Sequence, residues 1–134
     1  MSVYCISDIH GNITAFHDIL KKINFSNNDK LYILGDVCDR MEYGIDILLE
    51  IMDKPNIHLI RGNHEQFIID WDFYHETADV NGTKYIEHNW FMNGGEPTLN
   101  SLIELRSFYR DIYYQLINYL HATEYSINTT VNGT

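Results

Sequence analysis

The sequence predicts an α/β fold built on a parallel sheet, and two observations carry that expectation. Short apolar runs of strand-forming residues alternate with segments whose apolar residues recur at helical spacing. Each of the first three runs also ends in a cluster of polar residues. Residues 3–7 form the first run, and Ile13, Phe16, Leu20 and Ile23 then mark a helix. Residues 25–29 read as a polar turn and residues 31–34 as a second strand of buried type. Ile45, Leu48, Leu49 and Met52 follow the i, i+3, i+4, i+7 rule, a helix that stops before Pro55. Residues 57–60 are a third strand. Strands joined through helices pair in parallel by right-handed crossovers.

The second half reads as more helical. Phe67, Ile68, Trp71 and Tyr74 predict a helix from about Glu65. Residues 79–83 read as a loop, and Asn93-Gly94-Gly95-Glu96-Pro97 as a turn. Leu99, Leu102 and Leu105, then Phe108, Ile112, Leu116 and Leu120, predict one or two further helices. Tyr125, Ile127, Thr129 and Val131 alternate with Glu124, Ser126, Asn128 and Thr130, the period of a strand. Asn132-Gly133 is a strong hairpin signal with one residue after it. A turn without a returning strand predicts a truncated domain. The expected organisation is therefore one domain's N-terminal part over residues 1–134. Residues 1–64 carry the polar clusters, 65–124 are mainly helical and 125–134 begin a hairpin.

Bulk properties narrow the class. The 134 residues, 45% apolar, suit one core and are too few for two domains. No stretch approaches the roughly 20 apolar residues of a membrane span, and no secretory signal pattern opens the chain. Cys5 and Cys38 lack metal-type spacing, so a reducing, cytoplasmic setting is expected. The Asn-x-Ser/Thr triplets at Asn12, Asn81, Asn128 and Asn132 are then chance occurrences. A net charge of −10 argues against nucleic acid or an anionic membrane as partner. It would also repel any phosphate, unless bound cations reverse the field locally.

The chemistry lies where the strands stop. After the first comes Ser7-Asp8-Ile9-His10-Gly11-Asn12, after the second Gly35-Asp36-Val37-Cys38-Asp39-Arg40, and after the third Gly62-Asn63-His64-Glu65. Strand carboxyl ends line one crevice in an open parallel sheet, so the three clusters should converge. Each has a plain alternative. Asp8, or Asp36 and Asp39, would cap the following helices, Arg40 would be a solvated charge, and Asn63-His64-Glu65 an acidic helix start. Three such coincidences at one sheet edge are a poorer account than a shared site. Carboxylate, imidazole and amide ligands suit hard or borderline divalent ions. A bridging carboxylate can hold two ions about 3.5–4 Å apart, an arrangement that serves in-line phosphoryl displacement.

The three clusters resemble the phosphoprotein phosphatase branch of the calcineurin-like metallophosphoesterases, with its D-x-H-G, G-D-x-x-D-R and G-N-H-E signatures. Asp39-Arg40 and Glu65 mark that branch, and Trp90-Phe91-Met92-Asn93-Gly94-Gly95 resembles a segment of its small bacterial and phage members. The resemblance implies the βαβ half of a two-sheet sandwich, cut before its C-terminal strands. It implies two divalent ions, manganese first, with iron or zinc as alternatives. Asp8 and His10 would hold the first ion, Asp36 would bridge, and Asn63 would ligate the second. His64 would donate a proton to the leaving oxygen with Asp39 orienting its ring, while Arg40 and Arg61 would bind phosphate. Met41 stands where the family usually has glycine, which would disturb the turn that presents Arg40. Further histidine ligands that the family takes from later strands have no counterpart here. His121 falls in a helical or turn segment, and His17, His58, His75 and His88 read as surface or packing residues. The implied activity is phosphate-ester hydrolysis on a phosphoprotein or a phosphorylated small molecule. A serine/threonine phosphatase comes first, with a dinucleoside polyphosphate hydrolase or a non-catalytic phosphate-binding module as alternatives. With four candidate ligands for two ions, residues 1–134 alone are expected to bind metal weakly and turn over little.

Overall fold

The three apolar runs form β1 (Val3–Ile6), β2 (Lys30–Ile33) and β3 (Ile57–Leu59) in the computed structural model, which describes residues 1–130. They pair in parallel in the order β1-β2-β3. The register aligns Tyr4 with Leu31 and Ile57, and Ile6 with Ile33 and Leu59, so these side chains share one face. That face packs into the core, with Leu31 and Ile33 fully buried. The opposite row is Cys5, Tyr32 and His58, where Tyr32 stacks on His58 and Cys5 is exposed.

Helices α1 (Ile13–Lys22) and α2 (Gly44–Met52) are the two crossovers. The Asn12 side chain accepts from the Ala15 amide to start α1, and Lys21 and Lys22 suit its C-terminal turn. α2 buries Ile45, Ile47, Leu48 and Ile51 between the sheet and the later helices. Those are α3 (Asn63–Glu76), α4 (Val80–Met92), α5 (Glu96–Phe108) and α6 (Arg110–Ala122). α3 packs on α4 and α6, and α5 packs on α6. Polar bolts cross these interfaces: the Tyr113 hydroxyl donates to buried Asp72, and the Trp71 indole to Glu87. Burial and the Asp72 carboxylate hold the Tyr113 phenol well above its usual range, so it stays a donor. Among the described residues no helix is long and apolar enough to cross a membrane.

Two expectations are corrected. Residues 79–83 are not a loop: Asp79 accepts from the Gly82 amide and caps α4, which begins at Val80. Gly82 hid this start because glycine disfavours helices, yet here it lets the Tyr74 ring close in, 2.3 Å from where a Cβ would stand. Residues 125–130 are not a strand either. Glu124 makes one parallel bridge to Ile60. Beyond it the Tyr32 hydroxyl donates to Thr129, so the segment crosses the second sheet face instead of extending an edge. Val131 and the Asn132-Gly133 turn lie outside the described residues.

Leu48 is fully buried where α2 meets the rest of the core. Leu48→Ala is expected to destabilise the fold by about 2–5 kcal/mol, read as a lowered denaturant midpoint at unchanged m-value.

Candidate active site

β1 and β2 each end two residues before a left-handed residue, Asp8 and Gly35, whereas β3 leads to an extended Gly62 at the start of α3. Among the described residues seven non-glycine ones have a left-handed backbone, and five of them are Asp8 (φ 57), His10 (φ 45), Asp36 (φ 58), Asp39 (φ 76) and Arg40 (φ 73). Left-handed backbone is unfavourable for side chains with a Cβ, least so for aspartate. Something must hold these residues there, and here the holding is done by bonds between loops. The His10 and Gly11 amides donate to the Asp36 and Val37 carbonyls at 3.0 and 2.7 Å. The Met41 amide returns a bond to the His10 carbonyl at 3.2 Å.

The third loop is joined to the second by Glu65. One of its carboxylate oxygens accepts from the Asp36 and Gly62 amides at 2.7 and 3.1 Å. The other accepts from the Val37 amide at 3.0 Å and the Cys38 thiol at 3.4 Å. Burial raises the Glu65 carboxyl above its ordinary range, and the amide donors pull it part of the way back. Burial, with the Glu65 and Asp39 charges, pushes the Cys38 thiol up, so it remains a protonated donor. Gly62 is required by close approach, since a Cβ there would fall 2.6 Å from a carboxylate oxygen of Asp36.

This scaffold gathers three of the four expected metal ligands. Asp8, His10 and Asp36 offer ligand atoms that all lie within 4.8 Å of one another. His10 Nδ1 donates to the Cys38 carbonyl at 3.0 Å, because a carbonyl can only accept. Its Nε2 lone pair therefore faces Asp8, 3.6 Å away. Asn63, the first residue of α3, is flanked by two neighbours that touch Asp36: Gly62 by close approach and His64 through its amide. The donor set of two carboxylates, an imidazole and a neighbouring amide fits hard or borderline divalent ions.

The expected acid pair also meets. His64 Nδ1 lies 2.5 Å from Asp39, which is fully buried, and the His64 ring stands edge-on to His10 with centroids 5.0 Å apart. Arg40 is exposed, and among the described residues its guanidinium has no hydrogen-bond partner. Its backbone amide is tied to the Gly94 carbonyl at 2.8 Å. The Met41 amide is bonded on the inner side, to the His10 and Asp39 carbonyls, while its side chain is 47% exposed.

Arg61, the other expected phosphate contact, has its guanidinium engaged by the protein itself. Its guanidinium donates to the Leu120, His121 and Thr123 carbonyls, the Thr123 and Tyr125 hydroxyls and Gln66. The negative end of α6 attracts the cation and spends every donor it has. His121 enters only through its carbonyl. The remaining histidines take surface and packing positions: His17 pairs with Glu50, His58 stacks on Tyr32, His75 stacks on Trp71 and His88 is exposed. Sequence reading missed the structural part played by Glu65. The signal was available, since a glutamate three residues after a helix-capping glycine commonly reaches back to the cap amide.

Glu65→Gln keeps the shape but turns one accepting oxygen into a donor facing amide hydrogens. It should cost about 1–3 kcal/mol of stability. Manganese affinity should fall with it, measured by calorimetric titration, because the Asp36 turn loses its anchor.

The family model described as calcineurin-like phosphoesterase matches residues 1–125. A symmetrical bis(5'-nucleosyl)-tetraphosphatase of Haemophilus ducreyi is 37% identical over 71 residues, 52% of this chain and 26% of that protein. The like-named protein of Wigglesworthia glossinidia brevipalpis is 42% identical over 67 residues, 48% of this chain and 25% of that one. That of Delftia acidovorans is 35% identical over 71 residues, with 52% and 25% covered. The matched stretch thus spans about a quarter of each relative's length. With the family match running across nearly the whole chain, and its strand-end loops folded into one metal-binding geometry, the chain belongs to the calcineurin-like phosphoesterases.

Proposed function

We propose that the chain carries the metal-binding and proton-donating part of a hydrolase that cleaves the phosphoanhydride bridge of a dinucleoside tetraphosphate. The observation carrying the chemistry is the placement of the His64–Asp39 pair beside the convergent Asp8, His10 and Asp36 ligands. The activity for which the relatives are named supports the substrate class. Asp8, His10, Asp36 and Asn63 would hold the ions, with manganese the first candidate and iron or zinc the others. Bound divalent ions would supply positive charge against the phosphate oxygens and lower the pKa of an attacking water. In the protonated ring His64 would donate its Nδ1–H to Asp39, leaving a second proton on Nε2 to pass to the reacting centre. As the bond from phosphorus to the leaving oxygen breaks, that oxygen takes a proton from His64. Arg40, its guanidinium unengaged, is suited to a bidentate grip on phosphate oxygens.

One observation favours a second reading, a phosphoserine/phosphothreonine phosphatase. A nucleoside diphosphate departs readily as an anion, whereas a serine alkoxide is strongly basic and needs a proton. A buried carboxylate holding an imidazole is the equipment for that harder task.

The manganese-loaded protein should be assayed on bis(5'-adenosyl) tetraphosphate and on a phosphoserine peptide. Faster release of adenosine diphosphate is expected. Preference for the peptide would establish the second reading, and metal binding without turnover on either would leave a phosphate-binding module. In the full-length protein, His64→Asn should lower turnover of an ester with a basic leaving group on the order of 10²–10⁴-fold, as for a lost general acid, at unchanged metal content. Loss of metal in that variant would mean that His64 is a ligand.

A further inference from the structure

Trp90 lies in the run that ends Asn93-Gly94-Gly95, a motif with no part in the chemistry above. Its side chain is fully buried, and its indole N–H donates to both carboxylate oxygens of Asp39, at 2.9 and 2.8 Å. We infer that Trp90 is a positioning residue for proton transfer, holding Asp39 in the one orientation that presents His64. The inference rests on the proton-donor reading of His64.

The geometry explains why an indole is used. Asp39 has no solvent exposure, so each of its oxygens depends on protein donors. His64 serves one oxygen, and the bifurcated indole bond spans both, fixing the plane of the carboxylate. The ring is held in turn. It stacks on Phe67 with centroids 6.0 Å apart, and Phe67 meets the edge of His64 at 6.1 Å, closing a circuit of four side chains. Gly95 makes room for the indole, since a Cβ there would lie 2.0 Å from its Cδ1. The same helical corner grips the left-handed main chain of the second loop. Thr98 Oγ1 accepts from the Asp39 amide at 2.8 Å, and the Gly94 carbonyl from the Arg40 amide at 2.8 Å. Trp90 makes no hydrogen bond to Asp8, His10 or Asp36, so its influence reaches the proton and not the metal ligands.

The indole N–H should therefore matter in proportion to how much the leaving oxygen needs a proton. Trp90→Phe deletes the donor. 3-Benzothienylalanine at position 90, with sulfur in place of N–H, keeps the ring shape should the phenylalanine variant fold poorly. In the manganese-loaded protein, kcat on an alkyl phosphate should fall on the order of 10-fold or more, within the general-acid range. On p-nitrophenyl phosphate, whose leaving oxygen is weakly basic, the loss should stay under about 3-fold, with KM and manganese affinity unchanged. His64→Asn, measured alongside, should show the same leaving-group dependence more strongly. An equal loss on both esters, or a change in KM alone, would reduce Trp90 to packing and overturn the inference, while a leaving-group-dependent His64→Asn would keep the proton-donor reading. If His64→Asn is itself indifferent to the leaving group, that reading falls and the inference with it. A readout free of turnover is the indole N–H resonance of the metal-free protein. It should be protected from solvent exchange and should move in Asp39→Asn; a rapidly exchanging or unmoved resonance would also overturn the inference.

Discussion

One buried carboxylate joins the second and third strand-end loops, and the first loop is bonded to the second in turn. Glu65 belongs to the first turn of α3, yet three of the four groups it accepts from lie in the loop after β2. Amide bonds to a charged carboxylate contribute about 1.5–3 kcal/mol each. Left-handed backbone at a residue with a Cβ costs about 1–2 kcal/mol. Three amide bonds at Glu65 are thus of the right size to offset the five left-handed residues of the site. The carboxylate bears the desolvation that burial imposes, and its raised pKa records that burden.

The site is built from two layers with separate tasks. The parallel sheet delivers three loops to one edge and so brings Asp8, His10 and Asp36 together. The helical layer brings the remaining candidate, Asn63 at the start of α3, and its α4–α5 corner fixes Asp39 and Arg40 through Trp90, Thr98 and Gly94. The two cations expected to meet phosphate are divided likewise. Arg40 is exposed at the loop, whereas Arg61 is spent on tying α6 to the end of β3. In a chain of net charge −10, the gathered carboxylates of Asp8 and Asp36 would repel an anion unless bound cations offset them.

Much of the architecture was legible because it is written in local periodicity. The three strands, both crossover helices, α3, α5 and α6 follow from apolar spacing that their own neighbours display. The convergence of the Asp8, Asp36 and His64 clusters followed from one topological rule, that parallel strands bring their carboxyl ends to one edge. The start of α4 was hidden because Gly82 and the β-branched residues around it argue against a helix, and only the Tyr74 ring against Gly82 shows why they are there. Residues 125–130 alternate as a strand does, but alternation does not choose a partner, and the described chain crosses a sheet face instead.

By itself, the sequence determined which polar clusters end the strands and which sheet edge they share, since residue type and strand order are local properties. Tertiary structure alone decided their individual occupations. Arg61 and Arg40 carry the same guanidinium close to the same edge, yet the end of α6 consumes one and leaves the other exposed. Glu65 and Trp90 bond to partners 27–29 and 51 residues away, respectively, across the second loop. No local pattern encodes a hydrogen bond of that span. It exists because packing the helices on the sheet buries Asp39 and the loop amides, and a buried polar group must find a partner within the protein.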